Sequence, residues 1–402
     1  VDDGKRGGGP RAEPPVAGDG APTVAPMTGG QLVIGSSYGA AGASMRVRVL
    51  DWLRFLRLEA EVLDYLGTPN VRPGTLLRQP LRVVAAERRL RSLGRRPAWE
   101  RLLVSRSMGP FTRGRLEAAL LQRAGWGVYD FDDALYADAR GGVHHFFGEA
   151  AGWSTAVRGA DLVIAGNASL AEAAARIHPE VRVIPSCVEP RDYPRKTSYA
   201  VGPVPRLIWM GSPSTEPFLQ PVAPALLRVH RLTGARLTVV SAGRRPLGEL
   251  DVMTDRVTWD GPRTDALLAD ADCGIMPLPD TPFTRGKCAY KLLQYGAAGL
   301  PAVASPVGVN AQVIEQLDGL APADAESWAE ALLGMVQEPE ARRRTRGHAA
   351  RRAVEDHYSF DAWQSEFLRS VHLPERPGTG PARQASAPGR AGGAAPAPDR
   401  TR

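Results

Sequence analysis

Lysine is nearly missing from this chain of 402 residues: there are four, at positions 5, 196, 287 and 291, against forty-six arginines. Cysteine is as sparse. Cys187, Cys273 and Cys288 have neither paired nor metal-ligand spacing, and an odd, small count fits a reducing cytoplasm. No apolar run approaches the roughly 20 residues that span a bilayer, and the first residues lack a secretory leader pattern. The expectation is a soluble cytoplasmic protein, at most peripheral to the inner face of the membrane. Large apolar residues are missing from both ends. Residues 1–30 and 373–402 are rich in Gly, Pro, Ala and Arg, cannot offset the entropy of ordering, and read as disordered tails.

Positive charge is in excess but unevenly placed. The net charge is +7, and residues 72–106 hold ten arginines against Glu87 and Glu100. Such a basic helical stretch suits an anionic membrane surface or an acidic acceptor, or is simply a solvated face. Nucleic acid is not expected as a partner, because no nucleic-acid motif accompanies the charge.

Between the tails, short apolar strands alternate with helical patterns. Strands are expected over 31–36, 127–130, 162–165 and 181–184, then over 206–211, 236–241, 257–259 and 273–276. A helix over 169–177 has Ser169 and Glu172 as a capping box, and one over 360–371 has Ser359 as its N-cap. The alternation predicts an α/β fold of two facing, doubly wound Rossmann-like domains with a cleft between them. The first domain spans 31–190, a linker 191–205, the second domain 206–356, and a terminal helix over 357–372 crosses back to the first. Ligands of such sheets sit beyond the carboxyl ends of the strands.

Two of the four lysines fall in one segment, Phe283-Thr-Arg-Gly-Lys-Cys-Ala-Tyr-Lys-Leu-Leu-Gln-Tyr-Gly-Ala-Ala-Gly-Leu-Pro301, followed by Ala-Val-Ala-Ser-Pro-Val-Gly-Val-Asn310. It reads as a glycine turn at Gly286, a helix to about 298, a strand over 302–304 and a loop around Gly308. On that helix Lys287, Lys291 and Gln294 share a face. Two ammonium groups beside a helix N-terminus suit a diphosphate. An exposed helix face is the plain alternative.

This segment resembles the donor site of the family-4, group-1 glycosyltransferases, whose pattern ends in a similar "LLE-AMA-CGLPVVAS…G" run. Val128-Tyr-Asp-Phe-Asp-Asp-Ala134, Leu162-Val-Ile-Ala-Gly-Asn167 and Ile208-Trp-Met-Gly-Ser-Pro-Ser-Thr215 resemble a bacterial branch of that group, so the likeness spans about residues 31–371. It implies the GT-B fold and transfer of a sugar from a nucleoside-diphosphate sugar, a co-substrate rather than a cofactor, to an acceptor hydroxyl. It also implies retention of anomeric configuration. The acceptor is open: a lipid carrier, a glycan or a secondary metabolite.

By that resemblance, Gly211, Ser212, Ser214 and Thr215 form the donor loop, with Ser214 or Thr215 capping the next helix. The family's Arg and Lys are absent from this loop, and Lys287, Lys291 and Arg285 are expected to replace their charge. Of the group's two glutamates eight apart, the first aligns with Gly286 and the second with Gln294, which can still bond a ribose hydroxyl. Gly308, Val309 and Asn310 present backbone and amide groups to sugar or phosphate. Asp260-Gly-Pro-Arg263 and Leu278-Pro-Asp280 flank the base.

On the acceptor side, Asp130, Asp132 or Asp133 is expected to orient or deprotonate the acceptor, or one of them merely to cap a helix. Phosphate neutralised by lysine predicts activity without metal. Gly39 and Gly42 form a small-residue loop before Arg46, a candidate for phosphate or acceptor. His144 and His145 are candidates for the acceptor wall. A sugar-nucleotide epimerase and a non-catalytic sugar-nucleotide-binding relative remain as alternatives.

Overall fold

The computed structural model describes residues 31–40, 42–68, 71, 73–137 and 149–375, without the side chains of residues 149 and 261–263. The strands form two wholly parallel sheets. The first contains β1 (Leu32–Ser36), β2 (Ala60–Leu63), β3 (Arg101–Ser105), β4 (Trp126–Phe131), β5 (Leu162–Ala165) and β6 (Val181–Val183), in the order β2-β1-β3-β4-β5-β6. The second contains β7 (Arg206–Met210), β8 (Arg236–Val240), β9 (Thr254–Val257), β10 (Cys273–Met276) and β11 (Ala302–Ala304), in the order β11-β10-β7-β8-β9. Strands β1, β5, β10 and β11 are buried along their whole length, because helices cover both faces of each sheet. In each sheet the strand order reverses beside the first strand, between β1 and β3 and between β7 and β10. Crevices at such points are where doubly wound sheets take ligands.

The chain passes between the sheets in two adjacent places. Ile184 and Cys187 belong to the core of the first sheet, whereas Val188 belongs to that of the second. Val188 forms a parallel bridge with Ser359, so the outward and return passages run side by side. Residues 191–205 lie on the second sheet's domain. Tyr193 joins its core, and Lys196 Nζ donates to the carbonyls of Ala269 (3.1 Å) and Ala271 (2.6 Å). Those carbonyls end the helix Gly261–Asp270, where a cation complements the helix dipole. The helix Phe360–Ser370 is capped by Ser359 and packs on the first sheet. There Phe367 stacks on Trp52 with centroids 4.4 Å apart, and Trp126 Nε1 donates to the Ser370 carbonyl (2.9 Å).

Several sequence expectations shift. The helix after β5 is Ala168–Ala175, and its cap is Asn167, whose side chain accepts from the Leu170 N–H; Ser169 and Glu172 form no capping box. β9 ends at Val257, before Trp259. The basic tract is not one helix. It divides into the helices Pro73–Arg78 and Pro80–Leu93 and the buried strand β3.

Candidate functional site

A cleft of about 1360 Å³ opens where the carboxyl ends of the two sheets face each other. Its first wall carries Ser37 and Tyr38 after β1, Arg106 and Ser107 after β3, and Asp133 after β4. The opposite wall carries Ser212, Pro213, Ser214 and Thr215 after β7, Arg244 and Arg245 after β8, and Lys287.

The lysine segment is built differently from the single helix its spacing predicts. A short helix, Pro282–Arg285, opens with a reciprocal capping box between Thr281 and Thr284. Gly286 follows in right-handed geometry (φ −80°), and the long helix starts only at Tyr290, behind Ala289 at φ 53°. Lys287 therefore precedes the helix that carries Lys291 and Gln294. The cause is non-local: Asn167 Nδ2, from the first domain, donates to the carbonyls of both Gly286 and Lys287 (3.1 Å each). Cys288 Sγ likewise donates to the Asp132 carbonyl (3.3 Å), its thiol pushed up to about 12 by burial and the neighbouring Asp132. Gly286 meets the first domain so closely that an added Cβ would lie 2.7 Å from the Ala134 Cβ and 2.9 Å from its nitrogen. In this arrangement the glutamate expected from the family pattern has no room.

Lys287 Nζ crosses the gap to Asp133 Oδ1 at 2.6 Å and lies 4.4 Å from the centre of the Phe283 ring. Asp133 also accepts from Arg106 Nη1 at 3.1 Å. Burial works to raise the Asp133 carboxyl, but Lys287 and Arg106 outweigh it and hold it below the usual carboxylate range. Lys291 stands behind Lys287, 5.6 Å over the Trp209 ring, and is not itself on the cleft wall. Burial, with the repulsion of Lys287, lowers its ammonium to about 8.

The three aspartates have different settings. Asp133 reaches the cleft. Asp132 turns toward Arg106 (3.3 Å). Asp130 does not reach the cleft at all: it is buried against Arg48, whose Nη2 approaches Oδ1 at 2.5 Å and whose Nη1 donates to the Ile184 carbonyl at 2.8 Å. A carboxylate so enclosed is part of the core, which corrects its placing as a catalytic candidate.

The remaining candidates divide in the same way. Ser212 and Ser214 bond each other (2.9 Å), and Thr215 Oγ1 donates to the Ser212 carbonyl (3.0 Å). Thr215 occupies the N-cap position of the helix Glu216–Val222 but makes no side-chain capping bond there. Gly211 is needed for space, since a Cβ would lie 2.3 Å from the Trp209 ring. Arg285 points away, in an exposed pair with Asp280 (2.6 Å). Gln294 is buried and donates to the Tyr193 hydroxyl (3.3 Å) rather than facing the cleft. Gly308 takes φ +58°, and a Cβ there would meet the Arg285 carbonyl at 2.4 Å. Val309 leads into the helix Asn310–Gln316. Both amide atoms of Asn310 are buried without a hydrogen-bond partner among the described residues. Gly39 packs against the backbone of Gly67, and Gly42 begins the helical run. Arg46 lies 5.4 Å over the Trp259 ring of the second domain, so it bridges the domains. His144 and His145 lie outside the described residues, as do the tails; the side chains of 261–263 are likewise not described.

Sequence reasoning missed three arginines. Arg106 has a left-handed backbone (φ 65°), uncommon outside glycine, and Tyr129 braces its carbonyl through a 2.6 Å hydrogen bond. Its signal lay in recognising β3, hidden inside the basic tract. Arg244 and Arg245 follow β8 on the same cleft wall as Ser212, Ser214 and Thr215. Among the described residues no group of three or more His, Cys, Asp or Glu is placed to hold a metal ion.

Residues 205–338 match the family model for glycosyl transferases group 1. No curated protein matches the sequence. Among solved structures the chain is similar to HepE of Anabaena in complex with UDP and glucose, at 13% identity and TM-score 0.62, covering 86% of this chain and 100% of that one. It is also similar to a UDP-forming α,α-trehalose-phosphate synthase from Burkholderia xenovorans, at 13% identity and TM-score 0.58, covering 86% and 99%. A trehalose-6-phosphate protein of E. coli bound with UDP-2-fluoro glucose gives 12% identity and TM-score 0.57, covering 86% and 99%. At such identities the likeness establishes the fold: two facing Rossmann-like domains of GT-B type.

Proposed function

We propose, from the premise that this chain is a group 1 glycosyltransferase of GT-B fold, that its cleft holds a nucleoside-diphosphate sugar against the second domain and an acceptor hydroxyl against the first. The observation that carries this reading is Lys287, projecting from the donor segment into the cleft toward Asp133. Uridine is the base we favour, because the similar structures are UDP complexes or UDP-forming. As the sugar–phosphate bond breaks, charge grows on the leaving diphosphate. Lys287, Arg244 and Arg245 meet it from the wall, with Lys291 behind. A diphosphate oxygen then takes the acceptor's proton on the face from which it departs, which retains the anomeric configuration. Asp133, held ionised by Arg106, orients the acceptor. Four cations supply the charge that a divalent metal would otherwise bring, so turnover persists in a chelator.

The test is release of UDP from UDP-glucose in chelator, with and without a panel of acceptor alcohols. Release that depends on an acceptor supports the reading. Conversion of the donor to an epimeric sugar nucleotide without UDP release would favour the epimerase. The crowded Gly286 position, with no room for a sugar-reading carboxylate, is what favours a binding-only relative; binding of UDP with no turnover of any donor would be its result. The acceptor we favour is one presented at an anionic surface, because of the basic tract.

Two further outcomes follow. Arg244→Ala and Arg245→Ala each raise the donor KM about tenfold, the loss of one charge-assisted hydrogen bond, with unchanged melting temperature. UDP affinity also depends on pH through Lys291. Below about 8 its ammonium is charged and affinity is full; above that, affinity declines as the charge is lost, then levels once Lys291 is neutral. Titration calorimetry across this range should give that decline for the wild type and a flat profile for Lys291→Arg, whose charge does not titrate.

A further inference from the structure

The helices Pro73–Arg78 and Pro80–Leu93 carry an outward surface that the proposed reaction does not use. On the longer helix Ala86, Leu90 and Leu93 face the core, spaced by four and three residues. The opposite face presents Leu81, Val84, Arg88 and Arg91, spaced by three, four and three. Leu81 is 84% exposed, and Leu77, on the shorter helix, 81%. These are large apolar side chains standing in water.

The arginines around them sort into two sets. Arg82 donates to Gln79 and to the Leu66 carbonyl, Arg89 to the Tyr65 carbonyl, and Arg96 pairs with Glu61 at 2.9 Å. Arg78, Arg88, Arg91 and Arg95 are exposed and have no side-chain partner among the described residues. Bare leucines beside unpaired arginines form the apolar-plus-basic face that rests in a lipid headgroup region. No described helix is long and apolar enough to cross a membrane, so contact through these helices would be by surface binding. The face also adjoins the site: Pro73 and Leu76 of the shorter helix line the cleft, on the wall of the first domain.

We propose that this face docks on an anionic lipid bilayer, with Leu77, Leu81 and Val84 among the headgroups and Arg78, Arg88, Arg91 and Arg95 on lipid phosphates. The acceptor then enters the cleft past Leu76 from the bilayer, as a lipid-borne hydroxyl. This deepens the glycosyltransferase reading and rests on it for the acceptor's entry; the docking itself stands on the surface alone.

The experiment is co-sedimentation of the full chain with vesicles of phosphatidylcholine, alone or mixed with phosphatidylglycerol, alongside UDP binding by thermal shift. The expected result is binding to the mixed vesicles only, weakening steeply with salt. Each arginine removed lowers the partition about fivefold, so Arg88→Ser/Arg91→Ser loses about twenty-five-fold. Leu77→Ser/Leu81→Ser loses at least tenfold, and both double variants keep wild-type UDP binding. Equal binding by wild type and variants, or no binding to the mixed vesicles, would overturn the proposal. So would a dimer in solution that the leucine variant turns into a monomer, which would assign the face to a second copy. Vesicle binding without any UDP binding would leave the docking surface standing and remove the glycosyltransferase reading.

Discussion

Lys287→Ala lowers the affinity for the nucleoside diphosphate by about 10- to 150-fold, the range of 1.5–3 kcal/mol for a charge-assisted hydrogen bond. The size follows from where the ammonium stands. It projects into the cleft from a backbone turn pinned by Asn167, so its main chain is already placed on the cleft wall before a ligand binds. In the structure its partner is Asp133, 2.6 Å away, and a diphosphate must take its place. Asp133→Asn therefore acts in the opposite direction, tightening UDP binding severalfold while lowering transfer to the acceptor. Calorimetric titration of both variants separates these effects. If Lys287 were only a surface residue, neither variant would change the dissociation constant. The ion pair itself weakens in acid: Asp133 is held below the usual carboxylate range, so the contact persists above it and is lost as pH falls through the lowered value.

Arg48→Met destabilises the protein by about 3–5 kcal/mol, because it leaves the Asp130 carboxylate buried and unpaired. Both side chains are almost wholly enclosed, and the arginine also satisfies the Ile184 carbonyl at the end of the first domain. Burial already raises the Asp130 carboxyl, with Arg48 opposing it. Without Arg48 it rises further, so the native state keeps a proton that the unfolded chain releases. The deficit is then smallest in acid, where both states are protonated, and grows as pH rises toward the raised value before levelling. Urea unfolding at several pH values reads this directly. The double variant Arg48→Met/Asp130→Asn should recover part of the loss, since no ion remains buried. UDP binding by the folded fraction stays unchanged, which sets Asp130 apart from Asp133.

The parts legible in the sequence are those fixed by local pattern. β5, β10 and β11 are short apolar runs beside turn residues, and their limits could be read directly. The lysine segment stood out because lysine is scarce in an arginine-rich chain. What could not be read depends on residues far apart. The spacing of Lys287, Lys291 and Gln294 fits one helix, yet Asn167 captures the carbonyls of Gly286 and Lys287 from across the cleft and delays the helix to Tyr290. Asp130, Asp132 and Asp133 look alike in sequence. Only Arg48 on one side and Arg106 on the other separate a core ion pair from a cleft carboxylate. β2 and β3 were hidden for compositional reasons: β2 is a half-exposed edge strand, and β3 begins inside the basic tract.

The most direct measurement is the thermal stability of the purified chain with UDP, GDP, ADP, CDP and dTDP, each in chelator, for wild type and Lys287→Ala/Lys291→Ala. A nucleotide at 100 times its dissociation constant adds about 2.7 kcal/mol, several degrees of melting temperature. The account predicts that UDP stabilises the wild type and fails to stabilise the double variant at the same concentration. Equal stabilisation of both proteins, or none of the folded wild type by any of the five, would contradict it.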